Sequence, residues 1–227
     1  MDKKKDKKNL NYYVMKYLVV PRTPKIIPGK EHIACIGDSI TYGAGVRGKT
    51  KNTWENFLNQ SLGSDVQVIN YGISGRTLQD EGDFPYCEEK FYEISKQSEA
   101  DIYLIMLGTN DSKPYNWNET RFRKRLESFA REYMNLKHQP KVVLMTPPQC
   151  FPDKKTGVVP FDIDATTIAT SIRKIVFEVA DVLNLDVIDL NDYTKGHPEW
   201  FADGVHPNIY GDKKIAECIY DTNILER

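Results

Sequence analysis

The stretch HIACIG, residues 32–37, is a short apolar run closed by a glycine, and Asp38-Ser39 follow it directly. Such a run reads as a strand buried on both faces and ended by a turn. Four further runs repeat the pattern: VQVIN at 66–70, DIYLIMLG at 101–108, KVVLMT at 141–146 and LDVIDL at 185–190. Between them the apolar spacing changes to that of a helix. Phe122, Leu126, Phe129 and Tyr133 recur at intervals of four, three and four, as do Ile168, Ile172, Ile175 and Val179. Asp164 is placed to cap the second of these helices, and a last helix near 209–220 would turn Ile215 and Ile219 inward. Strands apolar on both faces that alternate with helices predict an α/β fold, a five-stranded parallel sheet with helices on each side. Ligands in such sheets bind beyond the carboxyl ends of the strands, so chemistry is sought in the loops after Gly37, Asn70, Gly108 and Leu190.

A chain of 227 residues is read as one domain over 32–227. Residues 1–31 are read as a tail and lead-in: MDKKKDKK is a solvated charged run, and Pro21, Pro24 and Pro28 favour extended backbone. A net charge of −1 and a pI near 6.4 give no field that would draw nucleic acid or an anionic membrane. The four cysteines have no metal-ligand spacing, and Cys35 and Cys218 are expected as small core residues. No run nears the ~20 apolar residues that span a bilayer. YYVMKYLVVP at 12–21 is short and interrupted by Lys16, so the expectation is a cytoplasmic protein, or a secreted one whose signal has been removed.

Ser39 stands where a strand turns into a helix, the position of a nucleophile at the carboxyl edge of a sheet. A serine hydroxyl needs a base, and the base an orienting acceptor. Asp203-Gly204-Val205-His206 supplies both at a spacing of three, with the carboxylate able to fix the imidazole tautomer. Donors for a developing oxyanion are offered at two more strand ends, the N–H of Gly72 in Asn70-Tyr71-Gly72 and the amide of Asn110 in Gly108-Thr109-Asn110-Asp111.

These four blocks, GDS, NxG, GTND and DxxHP, in this order, resemble those of the SGNH or GDSL-type hydrolases over about Ile33 to Tyr220. The resemblance implies a flavodoxin-like three-layer sandwich and a serine esterase that needs neither metal nor organic cofactor. It implies Ser39 as nucleophile, His206 as base, Asp203 as orienter, and the N–H groups of Ser39 and Gly72 with the Asn110 amide as oxyanion hole. Within the family, IMLGTNDSKPYNW and DGVHPN look most like the carbohydrate acetylesterase branch, so the expected substrate is a small acyl ester, foremost O-acetyl, on a small molecule or oligosaccharide. Asp38, Tyr42, Trp117 and Trp200 are the expected substrate-binding residues, the aromatic ones because flat faces suit sugar rings. Lysophospholipase or thioesterase activity is the rival within the family. A carbohydrate-binding module that has lost catalysis is a third reading. The segment Gly43–Thr50 fits GxxxxGK[ST] and offers a nucleotide-binding alternative, although Asp38–Tyr42 separate it from the strand that a phosphate loop should follow. The GxSxG elbow of α/β-hydrolases is absent, its nearest miss being Gly72-Ile73-Ser74-Gly75. Neither the N-terminal extension nor the loop 148–163 is explained by the resemblance.

Overall fold

The computed structural model describes residues 23–225; the lysine-rich tail and the first part of the lead-in lie outside them. Five strands, β1 (Glu31–Gly37), β2 (Val66–Gly72), β3 (Ile102–Met106), β4 (Lys141–Met145) and β5 (Asp186–Ile188), form one sheet in the order β2-β1-β3-β4-β5. All four pairings are parallel. The expected α/β sandwich is therefore present. The order reverses direction at β1, so the loops leaving β1, β2 and β3 crowd one another at the carboxyl edge, where a crevice opens.

Each strand feeds two cores because successive side chains point to opposite faces. From β1 and β3, Ile33, Cys35, Ile102, Leu104 and Met106 meet one face, and Ala34, Ile36, Tyr103 and Ile105 the other. The first face is covered by Trp54 and Leu58 of α2 (Trp54–Leu62) and by Ile215 and Ile219 of α6 (Ile209–Asp221). The second is covered by Phe91 of α3 (Lys90–Gln97), by the stripe Phe122, Leu126, Phe129 and Tyr133 of α4 (Glu119–Met134), and by Ile175 and Val179 of α5 (Arg173–Leu183). All of these are buried, the Val, Leu, Ile, Met and Phe side chains each contributing roughly 1.5–3 kcal/mol of transfer free energy. The short α1 (Ser39–Tyr42) sits at the end of β1. Cys35 is fully buried, Cys218 is half-buried against the first core, and all four thiols are free. Among the described residues no helix is long and apolar enough to cross a membrane.

The elements differ from expectation at their edges. β2 runs on through Gly72, β3 stops at Met106, and β5 has only three residues before Asp189 caps a single helical turn by accepting the Asp192 N–H. Asp164 does cap its helix, accepting from the Thr166 and Thr167 N–H groups, and a π-helical turn over Ile168–Ile172 precedes α5. Helices α2 and α3 were not anticipated: each is about two turns long and buries few apolar side chains, too little for a periodic signal.

Where α2 and α6 meet, Asp212 is buried beside Glu55. Burial, reinforced by the Glu55 carboxylate and opposed by the Trp54 N–H, pushes the Asp212 carboxyl up to about 9. The folded state thus holds a proton that the unfolded chain releases near its ordinary value. The stability tied to it is present at acid pH and is lost as pH rises towards about 9. Asp212→Asn, which keeps the shape without the charge, is expected to raise the urea midpoint more at pH 8 than at pH 5. An equal change at both values would show that Asp212 does not titrate this way.

Candidate active site

Asp38 accepts the Ile40 N–H at 2.9 Å and thereby caps α1, while Gly43, in the left-handed region at φ 78°, ends it. Ser39 is the first residue of this turn. Its own N–H is one of those a helix start leaves without an internal partner, and among the described residues nothing accepts it. Ser39 is 8% exposed, at the floor of a cavity of about 280 Å³ that Asn110, Lys113, Phe161 and His206 also line.

On the loop before α6, Asp203 Oδ1 accepts the N–H groups of Val205 and His206 at 2.9 and 2.8 Å, a turn that fixes the carboxylate. Its Oδ2 lies 2.8 Å from His206 Nδ1, and His206 Nε2 lies 2.9 Å from Ser39 Oγ. An ionised Asp203 accepts from Nδ1–H, which leaves Nε2 as acceptor for the serine hydroxyl. Burial opposes the charge on Asp203, but the hydrogen bonds from the His206 ring and from the two N–H groups outweigh it and hold the carboxyl at about 2. Residues 167 positions apart in the chain are thus joined in one hydrogen-bonded line.

Of the groups expected as oxyanion donors, the structure brings only some to the cavity. Asn110 lies in the cavity wall with one amide hydrogen directed to the Arg76 carbonyl at 3.2 Å, and among the described residues the other has no acceptor. Gly72 does not fit the role: it lies in β2, its N–H donates to Asn70 Oδ1 at 2.8 Å, and it does not line the cavity. Gly75, three residues further on, does. It is at φ 81°, lines the cavity, and among the described residues its N–H has no acceptor. The carbonyl of the same peptide, Ser74 C=O, accepts from Arg76 Nη1 at 2.8 Å. Because C=O and N–H of a trans peptide point in opposite directions, holding the carbonyl aims the Gly75 N–H the other way. The side chain of Arg76 is itself fully buried and held by Glu89 at 2.6 Å. The signal for Gly75 was the second glycine of Gly72-Ile73-Ser74-Gly75: a glycine in a loop keeps an N–H that a glycine in a strand commits.

The family model for GDSL-like lipases and acylhydrolases matches residues 33–219. An acetylxylan esterase of Xylanibacter ruminicola is 34% identical over 206 residues, 82% of this chain and 42% of that protein. An uncharacterized lipoprotein of Bacillus subtilis is 31% identical over 133 residues, 55% of this chain and 50% of that one. The chain spans half or less of the length of these two relatives. Among solved structures, a carbohydrate acetylesterase from Sinorhizobium meliloti matches with a TM-score of 0.68 at 19% identity, covering 85% of this chain and 98% of that one. A native aryl esterase of M. smegmatis matches with a TM-score of 0.66 at 22% identity, covering 85% and 97%. The chain belongs to the GDSL-like lipase/acylhydrolase family. These are the ester hydrolases expected from its four blocks, and the solved structures share its fold.

In this GDSL-like chain the expected substrate-binding residues are not brought to the cavity. Asp38 is buried and serves as the cap of α1, where burial raises its carboxyl above the usual range. Tyr42 lies under the Lys49 ammonium, 3.6 Å from its ring centroid. Trp117 packs on Phe122, with ring centroids 5.5 Å apart, at the edge of the core. Trp200 is buried with the His197 ring stacked on it at 3.9 Å. Aromatic area is more readily used for packing than a sequence can reveal. Nor does Gly43–Thr50 follow a strand: Gly43 closes α1, and Gly48 starts only a four-residue helical turn. The aromatic residue that does reach the cavity is Phe161, from the loop 148–163.

Gly72 has a structural task instead. A Cβ there would stand 2.3 Å from the Tyr42 nitrogen and 2.7 Å from the Thr41 carbonyl carbon, so α1 rests on β2 only because this residue is glycine. Gly72→Ala is expected to lower thermal stability and ester hydrolysis together. Asn110→Ala, which removes a donor at the cavity wall, is expected to cost about 10²–10³ in kcat with a smaller loss of thermal midpoint than Gly72→Ala. Paired melting curves and kinetics check the contrast, and a Gly72→Ala protein of unchanged stability would refute it.

Proposed function

We propose that this chain is a serine esterase that removes small acyl groups, foremost acetyl, from a carbohydrate through an acyl-serine intermediate. The observation that carries the reading is the line Asp203–His206–Ser39 opening on a cavity edged by three uncommitted N–H donors. His206 Nε2 takes the proton of Ser39 as Oγ attacks the ester carbonyl carbon. The carbonyl oxygen becomes an oxyanion and accepts from the N–H groups of Ser39 and Gly75 and from the Asn110 amide, each worth roughly 3 kcal/mol of barrier. His206 then gives its proton to the alcohol oxygen, the alcohol departs, and the acyl group stays on Ser39. Water, deprotonated by the same imidazole, attacks the acyl carbon; the bond from that carbon to Ser39 Oγ then breaks, His206 returns the proton to Oγ, and the acid is released. Asp203 stays ionised throughout, holding the imidazole in the tautomer that both half-reactions need.

A cavity of about 280 Å³ suits a short acyl group, whereas a lysophospholipase or thioesterase must house a long chain. The carbohydrate part of the reading is supported by the acetylxylan esterase relative. An intact nucleophile, base and orienter argue against a binding module without catalysis, and the position of Gly43–Thr50 behind α1 argues against nucleotide binding.

The test is acetate release from para-nitrophenyl acetate and from acetylated xylo-oligosaccharides. Ser39→Ala is expected to abolish release from both. Asp203→Asn is expected to keep KM within a few-fold while kcat drops by about 10⁴, because the imidazole is then held in the wrong tautomer. Acetate release that survives Ser39→Ala would overturn the reading.

A further inference from the structure

The loop 148–163, which the family blocks leave unexplained, spans the cavity from one half of the site to the other. At one end the Phe151 N–H donates to the Gly204 carbonyl at 2.7 Å, on the loop that carries Asp203 and His206. Gly204 is needed for that seat: a Cβ there would lie 2.2 Å from the Phe151 carbonyl oxygen. At the other end the Asp164 N–H donates to Ser112 Oγ at 3.1 Å, on the turn that carries Asn110. Between these anchors Phe161 and Asp162 are both in the left-handed region, at φ 64° and 59°. Such backbone is costly for residues with side chains and persists where the surroundings enforce it. Its result is that Phe161, 55% exposed, holds its ring 5.3 Å from the His206 imidazole at an interplanar angle of 66°.

The position of His206 says which part of an ester that ring meets. His206 Nε2 must reach the alcohol oxygen to protonate it, while the acyl oxygen sits among the N–H donors. A ring packed against the imidazole therefore borders the alcohol. Lys113 lines the same cavity, its Nζ 3.6 Å from Asp83 Oδ2. A flat apolar face in a cavity that a lysine also lines matches a sugar ring, which has an apolar C–H face and a rim of hydroxyls. It does not match an aliphatic alcohol. We propose that Phe161, presented by the loop 148–163, is the stacking platform for the sugar ring that leaves as the alcohol, and so sets the enzyme's preference for acetylated sugars. This rests on the serine-esterase reading above.

The experiment compares kcat/KM for an acetylated xylo-oligosaccharide with that for ethyl acetate, whose alcohol is too small to use the platform, in wild type, Phe161→Ala and Phe161→Trp. Phe161→Ala is expected to reduce the ratio of the two values at least ten-fold, and Phe161→Trp to retain it. Equal losses on both substrates would mean that Phe161 acts only by packing on His206, and would overturn the proposal, as would a wild-type protein that cleaves ethyl acetate but not the sugar ester. The partly exposed ring can be removed without opening the core, and a melting curve for each variant verifies this. Ethyl acetate cleavage lost with Ser39→Ala keeps the esterase reading separate. Wild type inactive on both esters would overturn that reading and this proposal with it.

Discussion

The site depends on how closely a helical turn can rest on a strand. α1 must lie against β2 for Ser39 to reach the cavity at the sheet's carboxyl edge, and backbone atoms of Thr41 and Tyr42 occupy the space where residue 72 would carry a Cβ. Asn70 reinforces the contact. Its side-chain amide donates to the Thr41 carbonyl and to Glu55 Oε1, each at 2.5 Å, and its carbonyl oxygen accepts the Gly72 N–H. Glu55 in turn accepts from Thr53 at the start of α2. One half-buried side-chain amide thus ties β2, α1 and α2 together, and Ser39 inherits the rigidity of the sheet. Burial raises the Glu55 carboxyl to about 7 against the hydrogen bonds from Thr53 and Asn70 that favour its charge.

Two of the proposed oxyanion donors, those of Asn110 and Gly75, are fixed by a second network, built on two loops. Asp111 is fully buried and accepts the N–H groups of Leu78 and Gln79 at 2.9 and 2.8 Å, clamping the loop after β2 to the turn after β3. Asn116 adds a bond to Asp83, and Arg76 serves both donors at once, its carbonyl holding Asn110 and its guanidinium holding the peptide of Gly75. Donors that stand in place before charge develops need no reorganisation during the reaction, which is where most of their value lies. Buried polar groups are costly unless satisfied, so a network of this density also selects one arrangement of the loops over its neighbours.

What was legible in the sequence follows from these constraints. The double-faced strands and the long helices announced themselves because Phe122 to Tyr133 and Ile168 to Val179 bury whole stripes. Ser39, Asp203 and His206 could be read as a nucleophile, an orienter and a base from residue type and spacing alone, and the structure brings the three into one hydrogen-bonded line. Gly75 was missed in favour of Gly72 because a glycine's task depends on whether its N–H is already committed, and that is decided by strand length, which a sequence sets only to within a few residues. Trp117 and Trp200 were read as sugar platforms because ring chemistry is visible and burial is not. Phe161 gave no such signal, since its exposure comes from a left-handed backbone enforced by contacts from remote parts of the chain.

That last case separates two kinds of information in the chain. The line Asp203–His206–Ser39 and the donors beside it are borne by segments at the carboxyl edge of the sheet, so their geometry follows from the sheet. The loop 148–163 belongs to no strand: it is held at Gly204 and at Ser112, one anchor in each half of the site. Its length and residues can change while both anchors, and therefore the reaction, are kept. Placing strain in such a segment costs the sheet nothing. It also puts the choice of alcohol in the part of the molecule freest to vary, while the proton transfers stay with the part that is not.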